Sequence, residues 1–164
     1  MKKTLCATLA GLVVVASLLV VGATSPTTAD AVGTTCFEQT ISSSTTSAAC
    51  VTAVQQILNG LDSEWANSGT KPVISPSPLE VTGVYDAATA QAVASLQTAA
   101  YHTATGQGLA VTGIVGPDTW NALCEWSLAS DTQGGTLVKT GAAAQQEAGC
   151  PTYYGTWPVG VSGT

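Results

Sequence analysis

Arginine is absent from this chain, lysine occurs four times, and histidine occurs once, at position 102. Without a basic patch there is nothing to neutralise a phosphate backbone, which argues against nucleic acid as a partner. A single histidine argues against zinc-dependent hydrolytic centres, which take two or three His and carboxylate ligands. It also leaves His102 as the one imidazole available to activate a Ser or Cys nucleophile, at a position read as the solvent-facing end of a helix. Charged residues make up 9% of the chain, against about a quarter in ordinary globular proteins, and the net charge is −6. Glycosidase chemistry needs only two carboxylates, and Glu64, Glu80, Asp86 and Glu125 are present. None of them forms a recognisable pair, and Asp86 has a capping role. The residues therefore point to surface chemistry, with no catalytic group, metal or cofactor expected.

The N-terminus supplies what the rest lacks, a long apolar run. Lys2 and Lys3 precede an apolar stretch from Leu9 to Val21, and Ala29-Asp-Ala31 presents small residues for cleavage before Val32. This predicts a signal peptide over 1–31, with a cut after Ala23 as the alternative, a secreted and cell-wall-associated protein, and no membrane segment once the signal is removed. Cys6 leaves with the signal. Cys36, Cys50, Cys124 and Cys150 remain, an even number in an oxidising compartment and without the clustered spacing of a metal site. Four cysteines allow three pairings. Cys36–Cys50 with Cys124–Cys150 is preferred, because each bridge then staples a flank to one end of a helical core.

The centre of the chain is duplicated. Val81-Thr-Gly-Val-Tyr-Asp-Ala-Ala-Thr-Ala-Gln-Ala-Val93 is followed 30 residues on by Val111-Thr-Gly-Ile-Val-Gly-Pro-Asp-Thr-Trp-Asn-Ala-Leu123. In each copy an extended Val-Thr leads to a turn glycine and an aliphatic residue (84 or 114) expected to reach back to the core. A helix then begins, capped by Asp86 in one copy and by Gly116-Pro117 in the other. Upstream, Val51, Val54, Ile57, Leu58 and Leu61 form an apolar stripe at helical spacing, predicting a first helix over 48–61 with Gln55 and Gln56 on its polar side. Residues 61–80, with three prolines, read as a long loop in which Trp65 packs onto the bundle. A second helix is expected over 87–101, and a third carries Trp120, Leu123, Cys124 and Leu128, with Trp120 as core anchor.

Gly83-Val-Tyr-Asp-x-x-Thr-x-x-Ala-Val-x-x-Leu-Gln97, then Val111-Thr-Gly-Ile-Val-Gly-Pro-x-Thr-Trp-x-x-Leu123, resembles the peptidoglycan-binding-like domain family appended to bacterial wall hydrolases. That family's opening Val-x-x-Leu-Gln-x-x-Leu helix is matched by Val51-Thr-Ala-Val-Gln-Gln-Ile-Leu58, and the resemblance covers about residues 47–128. It implies an all-α, small three-helix bundle over 47–129 that binds wall glycan or stem peptide without catalysis. A Ser/Thr-rich linker (32–46) would precede it. A Gly-rich tail (130–164) would follow, pairing Thr136–Thr140 with Thr152–Trp157 as a short hairpin. The candidate ligand contacts are Tyr85, Thr89, Gln97 and Thr119, each with a structural reading beside it: core filler for Tyr85, local caps for the threonines, a buried amide serving loop backbone for Gln97. The competing reading is a secreted protein that uses the same bundle to bind a protein partner, and a small wall hydrolase is the remote third.

Overall fold

The computed structural model describes residues 35–68, 74–126, 128, 135–152 and 155–162. The expected signal peptide, part of the 61–80 connection and the pair Tyr153 and Tyr154 lie outside them. The chain is mostly helical: α1 (Ala48–Ser68), α2 (Ala87–Ala99), α3 (Pro117–Glu125) and α4 (Thr136–Ala148), with β1 (Ala100–His102) and β2 (Val159–Val161) forming a two-stranded antiparallel sheet. No helix among the described residues is long and apolar enough to cross a membrane.

α1 is the axis. Ser47 caps it, its hydroxyl accepting from Cys50 N–H. The expected stripe of Val51, Val54, Ile57, Leu58 and Leu61 is buried, and so are Gln55, Asn59 and Gly60 on the other sides. This helix is therefore wrapped nearly all round, by α2 and α3 on one flank and α4 on the other. It runs past its expected end at Leu61 to Ser68 and carries Trp65 into the core, edge-on to Trp126 at 6.2 Å between ring centroids. Gly60 does not stop the helix; its role is close approach, since a Cβ there would stand 3.1 Å from the Gly141 Cα of α4.

α4 replaces the expected hairpin. Thr136–Thr140 is helical, and Val138, Gly141, Ala144, Gln145 and Ala148 face inward at spacings of three and four. The stripe is made mostly of small residues, so it carries little apolar signal in the sequence. The other half of that hairpin, around Trp157, runs instead beside the end of β1, where the Thr103 hydroxyl donates to Trp157 O at 2.7 Å. Four helices in place of three, and a tail that contributes Val138, Ala144, Ala148, Val159 and Val161 to the same core, correct the expected architecture. Both preferred disulfides are present, Cys36–Cys50 and Cys124–Cys150. Gln145, which no pattern in the sequence singles out, finishes α3: its amide donates to Leu123 O (2.8 Å) and Trp126 O (2.7 Å) and accepts from Leu128 N–H (3.2 Å).

The glycine crossing sets a prediction. A Cβ at Gly141 would meet Leu128 Cδ1 at 2.6 Å, Gly60 Cα at 3.0 Å and Gln56 O at 3.1 Å. Leucine at this position must push α4 off α1, so Gly141→Leu is expected to destabilise by about 3 kcal/mol despite its better helix propensity. Ala143→Leu, at an exposed position of the same helix, should stay within about 0.5 kcal/mol. Denaturant midpoints of the two variants check this.

α2 ends at Ala99, two residues before the expected point, because Ala100–His102 pairs with Val159–Val161 in the register Ala100↔Val161, Tyr101↔Gly160, His102↔Val159. His102 is thus a strand residue rather than a helix terminus. Its Nε2 lies 3.6 Å from Asp118 Oδ2, at a half-exposed site.

Candidate functional site

The duplicated segments form two turns of the same construction. In the first, over residues 81–86, Gly83 has φ 71°, and in the second, over 111–116, Gly113 has φ 65°, a region open to glycine and strained for other residues. Space requires glycine as well, since a Cβ at Gly113 would lie 3.0 Å from Ala90 O and one at Gly83 3.1 Å from Thr52 Oγ1.

Each turn is held from beneath by a glutamine of the preceding helix. Gln97 accepts from Thr112 N–H (2.8 Å) and Gly113 N–H (2.9 Å), and donates to Ile114 O (2.8 Å) and Thr119 Oγ1 (2.9 Å). Gln55 repeats this set one unit earlier. It accepts from Thr82 N–H (3.1 Å) and Gly83 N–H (3.0 Å), and donates to Val84 O (3.1 Å) and Thr89 Oγ1 (3.0 Å). Both side chains are buried, Gln55 at 0% exposure and Gln97 at 2%. The placement of Gln55 on a polar side of α1 is therefore corrected: it is the clamp of the first turn. The two glutamines lie 42 residues apart (97 − 55) while the turns lie 30 apart, because the first unit carries 12 more residues between helix and turn, where α1 is extended and the 69–80 connection follows.

Tyr85 joins the turns. Its hydroxyl donates to Gly113 O at 2.7 Å, and burial raises its pKa further above the usual phenol range. Asp86 caps α2, accepting from both the backbone N–H and the hydroxyl of Thr89 at 2.8 Å. Those two bonds hold its carboxyl below the usual range. Thr119 sits at the matching place in α3, where Gly116 and Pro117 start the helix. All four candidate contact residues are thus buried, with their polar atoms committed: Tyr85 to the second turn, Thr89 to Gln55 and Asp86, Gln97 to the second turn, and Thr119 to Gln97. Trp120 is core, as expected, and its indole N–H donates to Gln39 O at 2.8 Å.

The outward side of the turns is aliphatic. Val81 is 43% exposed, Val84 61%, Val111 57% and Ile114 41%. Val84 and Ile114 were expected to reach the core and instead point to solvent, because the glutamine occupies the space beneath each turn. These four are most of the large exposed hydrophobics among the described residues, and they fall at two pairs of repeat-equivalent positions. The sequence held this signal in the twice-kept aliphatic on each side of the turn glycine. Exposed carboxylates border them at Glu80, Asp86 and Asp118. Such a face can offer apolar contact from a backbone that is already immobilised, so little conformational freedom is lost on binding.

No curated protein and no solved structure matches the chain. Residues 47–123, which contain both turns and both clamping glutamines, match the family model described as "Putative peptidoglycan binding domain".

Proposed function

We propose that this protein is an exported, non-catalytic wall-binding module that takes peptidoglycan, through its glycan or its stem peptide, across the paired turns 81–86 and 111–116. The observation that carries this is the exposed quartet Val81, Val84, Val111 and Ile114, set at matched positions above clamped turns inside the family-matched segment. In this reading residues 1–31 are removed as a signal, 32–46 are a spacer, and the cystines suit an oxidising, extracellular setting. Tyr85, Thr89, Gln97 and Thr119 act by shaping the face. The non-catalytic part rests on the residue inventory, in which the one histidine is tied to Asp118.

Co-sedimentation of the mature protein with insoluble peptidoglycan tests the proposal. Retention is expected and should persist at high salt, because the face is apolar with a negative border. Serine at both Val84 and Ile114 should weaken retention about tenfold or more, each exposed aliphatic contributing on the order of 1 kcal/mol when covered. Full recovery of the unaltered protein in the supernatant would contradict the proposal and favour a protein partner, as would retention that high salt abolishes.

A further inference from the structure

At the far end of α3 from the second turn, Glu125 meets the C-terminal strand. Its carboxylate accepts from Val161 N–H. A Cβ on Gly160 would stand 3.2 Å from Glu125 Oε1 and 2.8 Å from the Tyr101 ring, so the carboxyl and the phenol both crowd the same face of the strand, where only glycine leaves them room. The other oxygen, Oε2, is buried without a hydrogen-bond partner, and so is Oδ1 of Asn121, one turn earlier on the same helix face. Two buried acceptors without donors are costly, and a proton on Oε2 would turn one of them into a donor for the other. The remaining surroundings also disfavour charge. Glu125 ends α3, at the negative pole of the helix, with no basic residue in its last turn. β2 is Val-Gly-Val, the facing titratable group on β1 is Tyr101, and Asp118, two turns back on α3, lies against His102.

We propose that Glu125 is a proton-dependent clasp for the C-terminal strand: as the neutral acid it seats β2 on α3 and shares its proton with Asn121, and as the carboxylate it favours release of β2. Burial pushes the Glu125 carboxyl up to about 7 from its ordinary 4.5. The seated strand therefore binds the proton more tightly than the released one. Seating is fully favoured below about pH 4.5 and weakens as pH rises to about 7, by up to tenfold per unit and on the order of a hundredfold across the window. Above that it levels off.

The test uses the full mature chain. Two amides report on the seated strand, Thr103 N–H bonded to Pro158 O and Ser162 N–H bonded to Ala99 O. Their hydrogen-exchange protection, corrected for intrinsic base catalysis, should fall steadily from pH 5 to 7 and be flat in Glu125→Gln, whose amide supplies the donor at every pH. Equal slopes in both proteins, or constant protection in the unaltered one, would overturn the proposal. The carboxyl carbon-13 shift of Glu125 gives a second readout that needs no variant: a midpoint near 7 is expected, and one near 4.5 would overturn the clasp.

Discussion

Gln97→Leu is expected to lower the unfolding free energy by about 4 kcal/mol, more than the loss of either cystine. The substitution keeps the bulk of the residue and removes its bonds. It strands Thr112 N–H and Gly113 N–H and leaves Ile114 O and Thr119 Oγ1 with only their mutual 3.4 Å bond, and Gly113 is itself buried. Each stranded group costs about 1–3 kcal/mol when water cannot reach it, and less at the exposed rim. Gln55→Leu should cost about the same, because it strands Thr82 N–H and Gly83 N–H, while Val84 O and Thr89 Oγ1 keep their bonds with Asp86. Gln56→Leu, one residue on and outside both networks, should cost little. The conservative Gln97→Glu variant separates charge from shape. Its carboxylate still accepts from the two turn amides, but its second oxygen faces Ile114 O where the amide donated. Its folded pKa is thus raised above the unfolded value, so stability should be regained as pH falls through that raised pKa and lost as pH rises. Denaturant midpoints across pH check this, and a pH-independent deficit would contradict the clamp geometry.

Removing a cystine should have the next largest effect. Cys36–Cys50 spans 14 residues and Cys124–Cys150 spans 26. In the chain-entropy account each contributes about 3 kcal/mol, slightly more for the longer loop. Alanine at both Cys124 and Cys150 is therefore expected to cost about 3 kcal/mol, with the C-terminal segment affected first. α4 would remain held by the Gly60–Gly141 crossing and by Gln145, whereas residues 155–162 would rely on the short pairing with β1, the core contacts of Val159 and Val161 and the bond to Glu125. Reducing both bridges removes about 6 kcal/mol, much of the 5–15 kcal/mol available to a typical domain. Unfolding curves with and without reductant measure it, and coincident curves would contradict a stapling role.

What the sequence could and could not announce follows from one physical distinction, between the polarity of a residue and its burial. The duplicated Val-Thr-Gly segments were legible because backbone geometry demanded glycine twice, and the three central helices because Val51, Val93 and Leu123 keep a helical period. Asp86 and the Gly116-Pro117 start were legible as local capping chemistry. At the candidate site, polarity and burial are inverted. Gln55 looks like a surface residue and is fully buried, while Val84 and Ile114 look like core and face solvent. Local rules fail most often where a surface has a job other than folding. α4 was hidden for a different reason, since Gly141, Ala144 and Ala148 signal little hydrophobicity yet pack where larger side chains would not fit. β1 and β2 are three residues each and exist only as partners, so no period within either one could announce them.

In the proposed function, two glutamine-clamped turns make one binding face for the wall polymer. The most direct measurement is a titration of the isotopically labelled protein with soluble peptidoglycan fragments, followed by backbone amide shifts. Residues 81–86 and 111–116 should shift together, with one dissociation constant. Shifts confined to the 135–162 segment, or no shifts with fragments in excess, would contradict it.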